Sequence, residues 1–161
     1  FKQLQSLGGP AQQLRLTQID KTLNPDDAIN IQFTSGTTGS PKGATLSHYN
    51  IVNNARFVTD RIALTETDRL AIPVPLYHCF GMVLGNLAIL THGGCIVYPN
   101  DGFEPLTVLQ AVEEEKCTGL HGVPTMFIAE LDHPQFSDYD LSSLHRQWCS
   151  GCALSNLNRL K

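Results

Sequence analysis

Short apolar runs and longer amphipathic blocks alternate along most of this 161-residue chain. Apolar runs of the length typical of buried strands lie at 29–33, 69–74 and 95–98, and two further strands are predicted at 118–122 and 147–150. Blocks with helical character follow them, and these begin near Ser47, Cys79, Pro105, Pro124 and Ala153. Because strands and helices alternate with short connections, the pattern predicts an α/β fold, with a mostly parallel sheet flanked by helices.

The beginning of the chain has a different character. Residues 1–26 are polar and rich in glutamine and leucine, and Gly8, Gly9 and Pro10 interrupt them. We predict a peripheral lead-in segment at 1–26 and one incomplete α/β domain at 27–161. The chain starts on Phe1 rather than methionine, which indicates a piece of a longer protein.

The composition and charge of the chain argue against some classes of binding partner. A hydrophobic share of 42% is ordinary for a globular domain with a core. The net charge of −4 and the pI near 5.8 argue against binding to nucleic acid or to a membrane surface. No apolar run approaches the roughly 18 residues that a membrane-spanning helix needs, so no such segment is predicted. Small-molecule partners remain, and nothing in the sequence indicates the oligomeric state.

The chain has five cysteines: Cys79, Cys95, Cys117, Cys149 and Cys152. An odd number in mostly apolar surroundings predicts reduced thiols rather than a disulfide framework, and hence an intracellular protein of the cytoplasm or the mitochondrial matrix. No two histidines have the i, i+4 spacing of a helical zinc site, so no structural metal is predicted.

Residues 34–43, TSGTTGSPKG, carry the clearest chemical signal. They follow the apolar run 29–33, which predicts a buried strand, and contain three glycines, five hydroxyl side chains, one proline and one lysine. Glycines let backbone N–H groups approach an anion, hydroxyls donate to phosphate oxygens, and Lys42 adds a positive charge. The segment therefore predicts a polyphosphate cradle. A flexible linker is the alternative, but a linker has no use for Lys42 or Pro41.

The cradle is not a Walker loop. That pattern needs glycine directly before the lysine and serine or threonine after it. Here Pro41 precedes Lys42 and Gly43 follows it.

The segment TSGTTGSPKGATLSH at 34–48 closely resembles the phosphate-binding signature of the adenylate-forming (AMP-binding) enzymes. These include acyl-CoA synthetases, luciferases and the adenylation domains of peptide synthetases. PLYHCFG at 75–81 resembles the family's P-L-[FY]-H-x-x-G segment, and GVPTMF at 122–127 resembles its G-V-P-T-[ML]-[FY] segment. The resemblance covers about 27–161 and is strongest to medium-chain and related fatty acyl-CoA synthetases.

The resemblance implies three groups of site residues and ATP, Mg²⁺ and coenzyme A as cofactors or substrates. The ATP phosphates would bind Thr34, Ser35, Gly36, Thr37, Thr38, Gly39, Lys42 and Gly43. The acyl pocket would include His78, His121 and Gly122, and the adenine would meet Gly151, Cys152 and Ala153. Mg²⁺ would arrive with ATP, with Thr34 or Thr38 as candidate ligands, and no catalytic residue is assigned in this chain.

The implied reaction activates a carboxylic acid, most simply a fatty acid, as an acyl-adenylate and then transfers the acyl group to coenzyme A. Three family parts are absent from the 161 residues: a Y-G-x-T-E segment, the aspartate motif for the ribose, and the C-terminal domain with its catalytic lysine. The chain by itself is therefore predicted to be inactive.

Other interpretations stay open. An aryl-acid ligase, a luciferase-like enzyme and a non-catalytic nucleotide-binding module share the cradle. Amino-acid adenylation is disfavoured, because Tyr77-His78-Cys79-Phe80 stands where that group carries F-D-x-S.

The W-C-x-x-C pattern at 148–152 is also typical of thioredoxin-like redox sites. The family alternative is a turn like S-G-G-A-x-L that packs against the adenine, with Cys152 in place of the second glycine.

Overall fold

A computed structural model describes residues 7–35 and 39–149, with side chains up to His145. The chain divides into two compact units, Phe1–Tyr49 and Asn50–Lys161.

The first unit contains one helix and one hairpin. Helix α1 is Pro10–Asp20, strand β1 is Ala28–Thr34 and strand β2 is Lys42–Ser47. The helix starts with proline at its first turn, and Gly9 N–H donates to Gln12 Oε1 at 3.1 Å. None of its residues is buried, and it has no apolar stripe of the kind that indicates an amphipathic helix in a sequence. The prediction of a peripheral lead-in at 1–26 therefore did not include this helix.

The two strands pair antiparallel, with Thr34 opposite Lys42 and Phe33 opposite Gly43. The predicted strand at 29–33 is confirmed, but its predicted burial is wrong. Ile29, Ile31 and Phe33 are 44%, 57% and 74% exposed. Alternate side chains of a strand share one face, and a two-stranded sheet has no second layer of its own to cover that face.

The second unit is a parallel sheet with helices. Its helical elements are α2 (His48–Ile62, which begins at the end of the first unit), a π-helix (Phe80–Leu87), α3 (Ala88–Thr91), α4 (Pro105–Glu114), α5 (Pro124–Leu131) and a 3₁₀ turn (Phe136–Asp138). Its strands are β3 (Arg69–Ala71), β4 (Cys95–Val97), β5 (Gly119–Gly122) and β6 (Arg146–Cys149). They are ordered β4-β3-β5-β6, and every pair is parallel. The predicted α/β class is confirmed.

Strand β3 is shorter than the apolar run 69–74 that predicts it. Ile72 N–H still donates to Val97 O at 2.9 Å, but the strand assignment ends at Ala71. Pro73 and Pro75 have no N–H to give to a neighbouring strand, so the ladder cannot continue. The apolar residues beyond Ala71 therefore form a loop at the carboxyl end of the sheet.

Both faces of the sheet are covered. Ala71, Val97 and Leu120 project to one face, in a cluster with Val108 and Val112 of α4. On the other face, a second cluster holds Leu64, Leu70, Ile72, Val74, Phe80 and Ile89. Neighbouring residues of a strand point to opposite faces, which explains why Leu70 and Ala71 belong to different clusters.

A buried carboxylate ties the amino-terminal ends of β3 and β5 together. Asp68 is 3% exposed, and its Oδ2 accepts from Thr65 N–H at 2.7 Å and from Thr65 Oγ1 at 3.0 Å. Its Oδ1 accepts from Thr118 Oγ1 at 2.7 Å, and that hydroxyl accepts from Arg69 N–H at 3.0 Å. The network satisfies buried polar groups at the edge of the sheet opposite to the candidate site.

Asp68→Ala is expected to lower the free energy of unfolding by about 3 kcal/mol, because it removes a buried carboxylate that accepts three hydrogen bonds at once. Urea denaturation of the full-length protein measures the loss. Asp138→Ala, at an exposed aspartate of the 3₁₀ turn, is the matched control and should change stability by less than about 0.5 kcal/mol. Equal losses from the two variants would contradict the role given to Asp68.

Candidate functional site

The hairpin holds the ends of the predicted cradle close together. Thr34 ends β1 and Lys42 begins β2, and the two are direct partners, with Thr34 Oγ1 3.5 Å from Lys42 O. Between them, Gly39 has a φ of +87°, a conformation that favours glycine. Ser35 and Lys42 are exposed, and Gly36, Thr37 and Thr38 lie outside the described residues. The arrangement presents exposed hydroxyl groups of Thr34 and Ser35 and the exposed ammonium group of Lys42 at the same end of the hairpin.

Gly43 has a packing reason to be glycine. A Cβ at this position would lie 3.0 Å from Ile31 Cγ2 and 3.4 Å from Phe33 Cε1. The side chains of Ile31 and Phe33 on β1 therefore occupy the space beside Gly43 at the start of β2. The predicted contact of Gly43 with phosphate stays a prediction.

A cleft of about 600 Å³ opens in the second unit, where strands β3, β4 and β5 end. Its walls are the segment 72–77 after β3, the residues Tyr98 and 100–103 after β4, and Met126 of α5. Ligands of open α/β sheets bind outside the carboxyl ends of the strands. The lining is mainly apolar, with two tyrosines, Asn100 and Asp101 as polar groups. Its size suits a small organic molecule.

His78 lies directly after this wall, and its side chain is exposed. Its Nδ1 accepts a hydrogen bond from Phe80 N–H at 3.0 Å. In a neutral ring whose Nδ1 is the acceptor, the proton is on Nε2. His78 therefore presents Nε2–H as a hydrogen-bond donor. The sequence indicates the histidine, but the tautomer follows only from the fold.

The helix predicted from about Cys79 to Leu90 is present, but its first part, Phe80–Leu87, is a π-helix. Such segments are rare and are often found at functional sites. Gly81 permits it to pack closely, because a Cβ there would lie 2.4 Å from Pro75 O. Among the residues that the structure describes, Asn86 Oδ1 is one of the buried side-chain atoms without a hydrogen-bond partner.

His121 lies within β5 and is fully buried. Its ring stacks on Phe80, with centroids 5.0 Å apart and planes 12° apart. Neither ring nitrogen has a hydrogen-bond partner within the described ranges. Burial lowers the pKa of His121 to about 4, so the imidazole is neutral at physiological pH. It stands behind Phe80 and is not among the residues that line the cleft, and its predicted contact with an acyl chain stays a prediction.

Gly122 ends the same strand. A Cβ there would lie 2.9 Å from the ring of Phe127, so glycine allows α5 to pack against the end of β5. Gly122 thus shapes the start of α5, next to the Met126 wall of the cleft.

Sequence reasoning missed Glu130 on α5. This carboxyl is 1% exposed, and neither of its oxygens has a hydrogen-bond partner in the described part of the chain. Burial raises its pKa to about 8. Helical periodicity could have found it, because position 130 lies three residues after the buried Phe127 and so on the same face of the helix.

The remaining predicted site residues cannot be placed. Gly151, Cys152 and Ala153 lie outside the described residues, together with most of the W-C-x-x-C pattern.

Cys79, Cys95 and Cys117 are free thiols. Burial raises the pKa of Cys117 to about 11, which makes it a poor nucleophile. Within 7–35 and 39–149, no three metal-binding side chains cluster, and no helix has the length and apolarity to cross a membrane.

Comparison with known proteins gives consistent matches. The family model described as "AMP-binding enzyme" matches residues 2–156. The putative acyl-CoA synthetase YngI of Bacillus subtilis (strain 168) is 56% identical over 130 residues, which cover 81% of this chain and 23% of that protein. The mitochondrial medium-chain acyl-CoA ligase ACSF2 of Danio rerio is 48% identical over 146 residues, covering 89% of this chain and 24% of the relative.

The fold has solved counterparts. The crystal structure of ATP-bound MatB from Rhodopseudomonas palustris matches with a TM-score of 0.71 and 30% identity, over 79% of this chain and 25% of that one. The chain thus spans about a quarter of the length of the proteins it matches.

Proposed function

We propose that this chain, which belongs to the AMP-binding enzyme family, is part of an ATP-dependent ligase that joins a carboxylic acid to coenzyme A. A carboxylate oxygen of the acid attacks the α-phosphorus of ATP, and the bond to pyrophosphate breaks. The product is an acyl-adenylate. The thiol sulfur of coenzyme A then attacks the acyl carbonyl, AMP leaves, and the thiol proton is released. The observation that carries the proposal is the hairpin turn with Thr34 and Lys42 at its base.

The hairpin is the proposed site of the β- and γ-phosphates. The Lys42 ammonium is exposed and available to an anion, and Thr34 and Ser35 supply hydroxyl donors. Gly36, Thr37, Thr38, Gly39 and Gly43 complete the proposed cradle. The hydroxyl-rich turn suits a nucleotide that arrives with Mg²⁺, whose charge would help to neutralise the phosphates, and Thr34 or Thr38 would be its candidate protein ligands.

The cleft is the proposed site of the acid. Its apolar walls suit an aliphatic chain, and the donor Nε2–H of His78 suits an oxygen of the carboxylate or of the acyl-phosphate. A medium-chain acyl-CoA ligase among the relatives supports a fatty acid. His121 and Gly122 would border this region from the sheet, and Gly151, Cys152 and Ala153 would meet the adenine.

An aryl acid, as in aryl-acid ligases and luciferase-like enzymes, is the second candidate substrate. The observation that favours it is the pair Tyr77 and Tyr98 in the cleft, since aromatic rings pack well on each other. A nucleotide-binding module without chemistry is the remaining alternative. An intracellular location stays a prediction, and one relative is named as mitochondrial.

AMP release by the full-length protein tests the proposal. With ATP, Mg²⁺ and a panel of aliphatic, aromatic and amino acids, we expect acid-dependent AMP release that coenzyme A accelerates. Lys42→Ala should lower kcat/KM by about 100-fold, because it removes a charge that the transition state uses. Lys21→Ala, at an exposed lysine after α1, is the matched control and should be near wild type.

Two outcomes would contradict the proposal. A protein that binds ATP but releases no AMP with any acid would be a nucleotide-binding module. Wild-type activity in Lys42→Ala would remove the hairpin from the site. The 161 residues alone should be inactive, so ATP–pyrophosphate exchange at the rate of the full-length protein would contradict that part.

A further inference from the structure

We infer that His121 is a positioning residue for His78 and that it acts through Phe80. The inference rests on the proposed function, in which His78 contacts the acid. It gives His121 a role that needs no contact with any substrate.

Phe80 is the physical link between the two histidines. Its backbone N–H donates to His78 Nδ1 at 3.0 Å, and its ring stacks on His121 at 5.0 Å. Phe80 is itself 5% exposed, so its ring is held from all sides. The position of the Phe80 backbone therefore depends on the ring behind it, and the orientation of His78 depends on the Phe80 backbone.

His121 is a rigid support. Its strand β5 lies between β3 and β6 in the parallel sheet, with His121 paired to Trp148. The exposed His78, in contrast, lies in the turn closed by its N–H and Pro75 O at 3.3 Å. Through Phe80, the stack thus connects the turn that carries His78 to an inner strand of the sheet.

The flat face of His121 is what the fold uses. Both ring nitrogens are buried without a hydrogen-bond partner in the described residues, and the contact that the structure shows for this side chain is the stack on Phe80. The nearly parallel planes and the short centroid distance are typical of stacked aromatic pairs. A side chain without a flat ring would change how Phe80 packs on this side, and with it the orientation of the donor Nε2–H of His78.

A double-mutant cycle in the full-length protein tests this. His121→Leu should lower kcat/KM for the acid by about tenfold, since small displacements of a positioning group have large effects on rate. His121→Phe keeps a flat ring and should restore activity to within about threefold of wild type. In a His78→Ala background, His121→Leu should have less than about a twofold effect, because the group that it positions is gone.

The same fold-loss in both backgrounds would overturn the inference, as would wild-type kcat/KM in His121→Leu. Phe80→Leu removes the other ring of the stack, and it must also lower kcat/KM more in the wild-type background than in the His78→Ala background. The test therefore does not depend on His121→Leu folding well. Leu120→Ala is the matched control on the opposite face of β5. It should lower the melting temperature and reduce kcat/KM by the same small factor whether or not His78 is present.

The tautomer of His78 gives a readout that does not need activity. Nitrogen-15 spectra of labelled histidines should show His78 protonated on Nε2 in the wild type and a mixture of tautomers in His121→Leu. An unchanged tautomer would overturn the positioning role. If no acid supports AMP release, the proposed function fails, and the spectra still decide this inference.

Discussion

Gly81→Ala is expected to destabilise the protein by about 3 kcal/mol or more, which is among the largest effects of a single added methyl group. The new Cβ would lie 2.4 Å from Pro75 O and 3.1 Å from Leu76 Cα. Both are backbone atoms, so no side-chain rotation relieves the clash. The π-helix would have to move away from the segment 75–76, which forms part of the cleft wall and accepts the turn bond from His78 N–H.

Thermal and urea unfolding of the full-length variants measure this loss. Gly102→Ala is the control, because a Cβ there meets nothing within 4 Å and should change stability by less than about 0.5 kcal/mol. Gly85→Ala should fall between them, since its Cβ would meet side-chain atoms of Ile72 at 3.1 Å rather than backbone atoms. Equal stability of Gly81→Ala and Gly102→Ala would contradict the close approach of the π-helix to Pro75.

Local signals in the sequence predicted much of the second unit. Pro105 and Pro124 mark the starts of α4 and α5, because proline is tolerated where a helix has no partner for its first N–H groups. The four strands of the sheet lie where strands were predicted, at 69–74, 95–98, 118–122 and 147–150. The end of β3 at Ala71 required attention to Pro73 and Pro75, whose effect on the ladder outweighs the apolar character of 72–74.

The first unit shows what an apolar run alone cannot say. The run 29–33 predicts a strand, and a strand is present, but burial depends on which elements pack on it. Helix α1 has no apolar face, so the hydrophobic pattern of the sequence did not predict it. The π-helix was likewise predicted only as a helix, because the sequence pattern does not distinguish i→i+5 from i→i+4 bonding.

The candidate site divides in the same way. The cradle and His78 stand in local motifs, so the sequence alone located them. The stack of His121 on Phe80 joins residues 41 positions apart, and the buried carboxyl of Glu130, which has no hydrogen-bond partner in the described part of the chain, depends on what surrounds α5. Such features arise from tertiary packing and could be found only in the fold.

Stability should depend on pH through two buried groups with opposite signs. The pKa of Glu130 is about 8 in the folded chain against an ordinary value of 4.5. The contribution of the protonated Glu130 to the free energy of unfolding is therefore fully present below pH 4.5 and is lost as pH rises towards 8. The pKa of His121 is about 4 against an ordinary 6.5, so stability is lost as pH falls from 6.5 towards 4. The two dependences offset each other between pH 4.5 and 6.5, and we expect a plateau there.

Glu130→Gln isolates the alkaline arm, because the amide has nearly the same shape and does not ionise. Its stability should match wild type near pH 4.5 and exceed it by about 3–5 kcal/mol at pH 8, since each unit of pKa difference corresponds to about 1.4 kcal/mol. Urea unfolding of the full-length protein between pH 4.5 and 8.5 measures the gap. Glu114→Gln, at an exposed glutamate of α4, is the control and should give no pH-dependent gap. A constant difference between Glu130→Gln and wild type across this range would mean that Glu130 ionises normally, and hence that a cation or solvent reaches it in the folded protein.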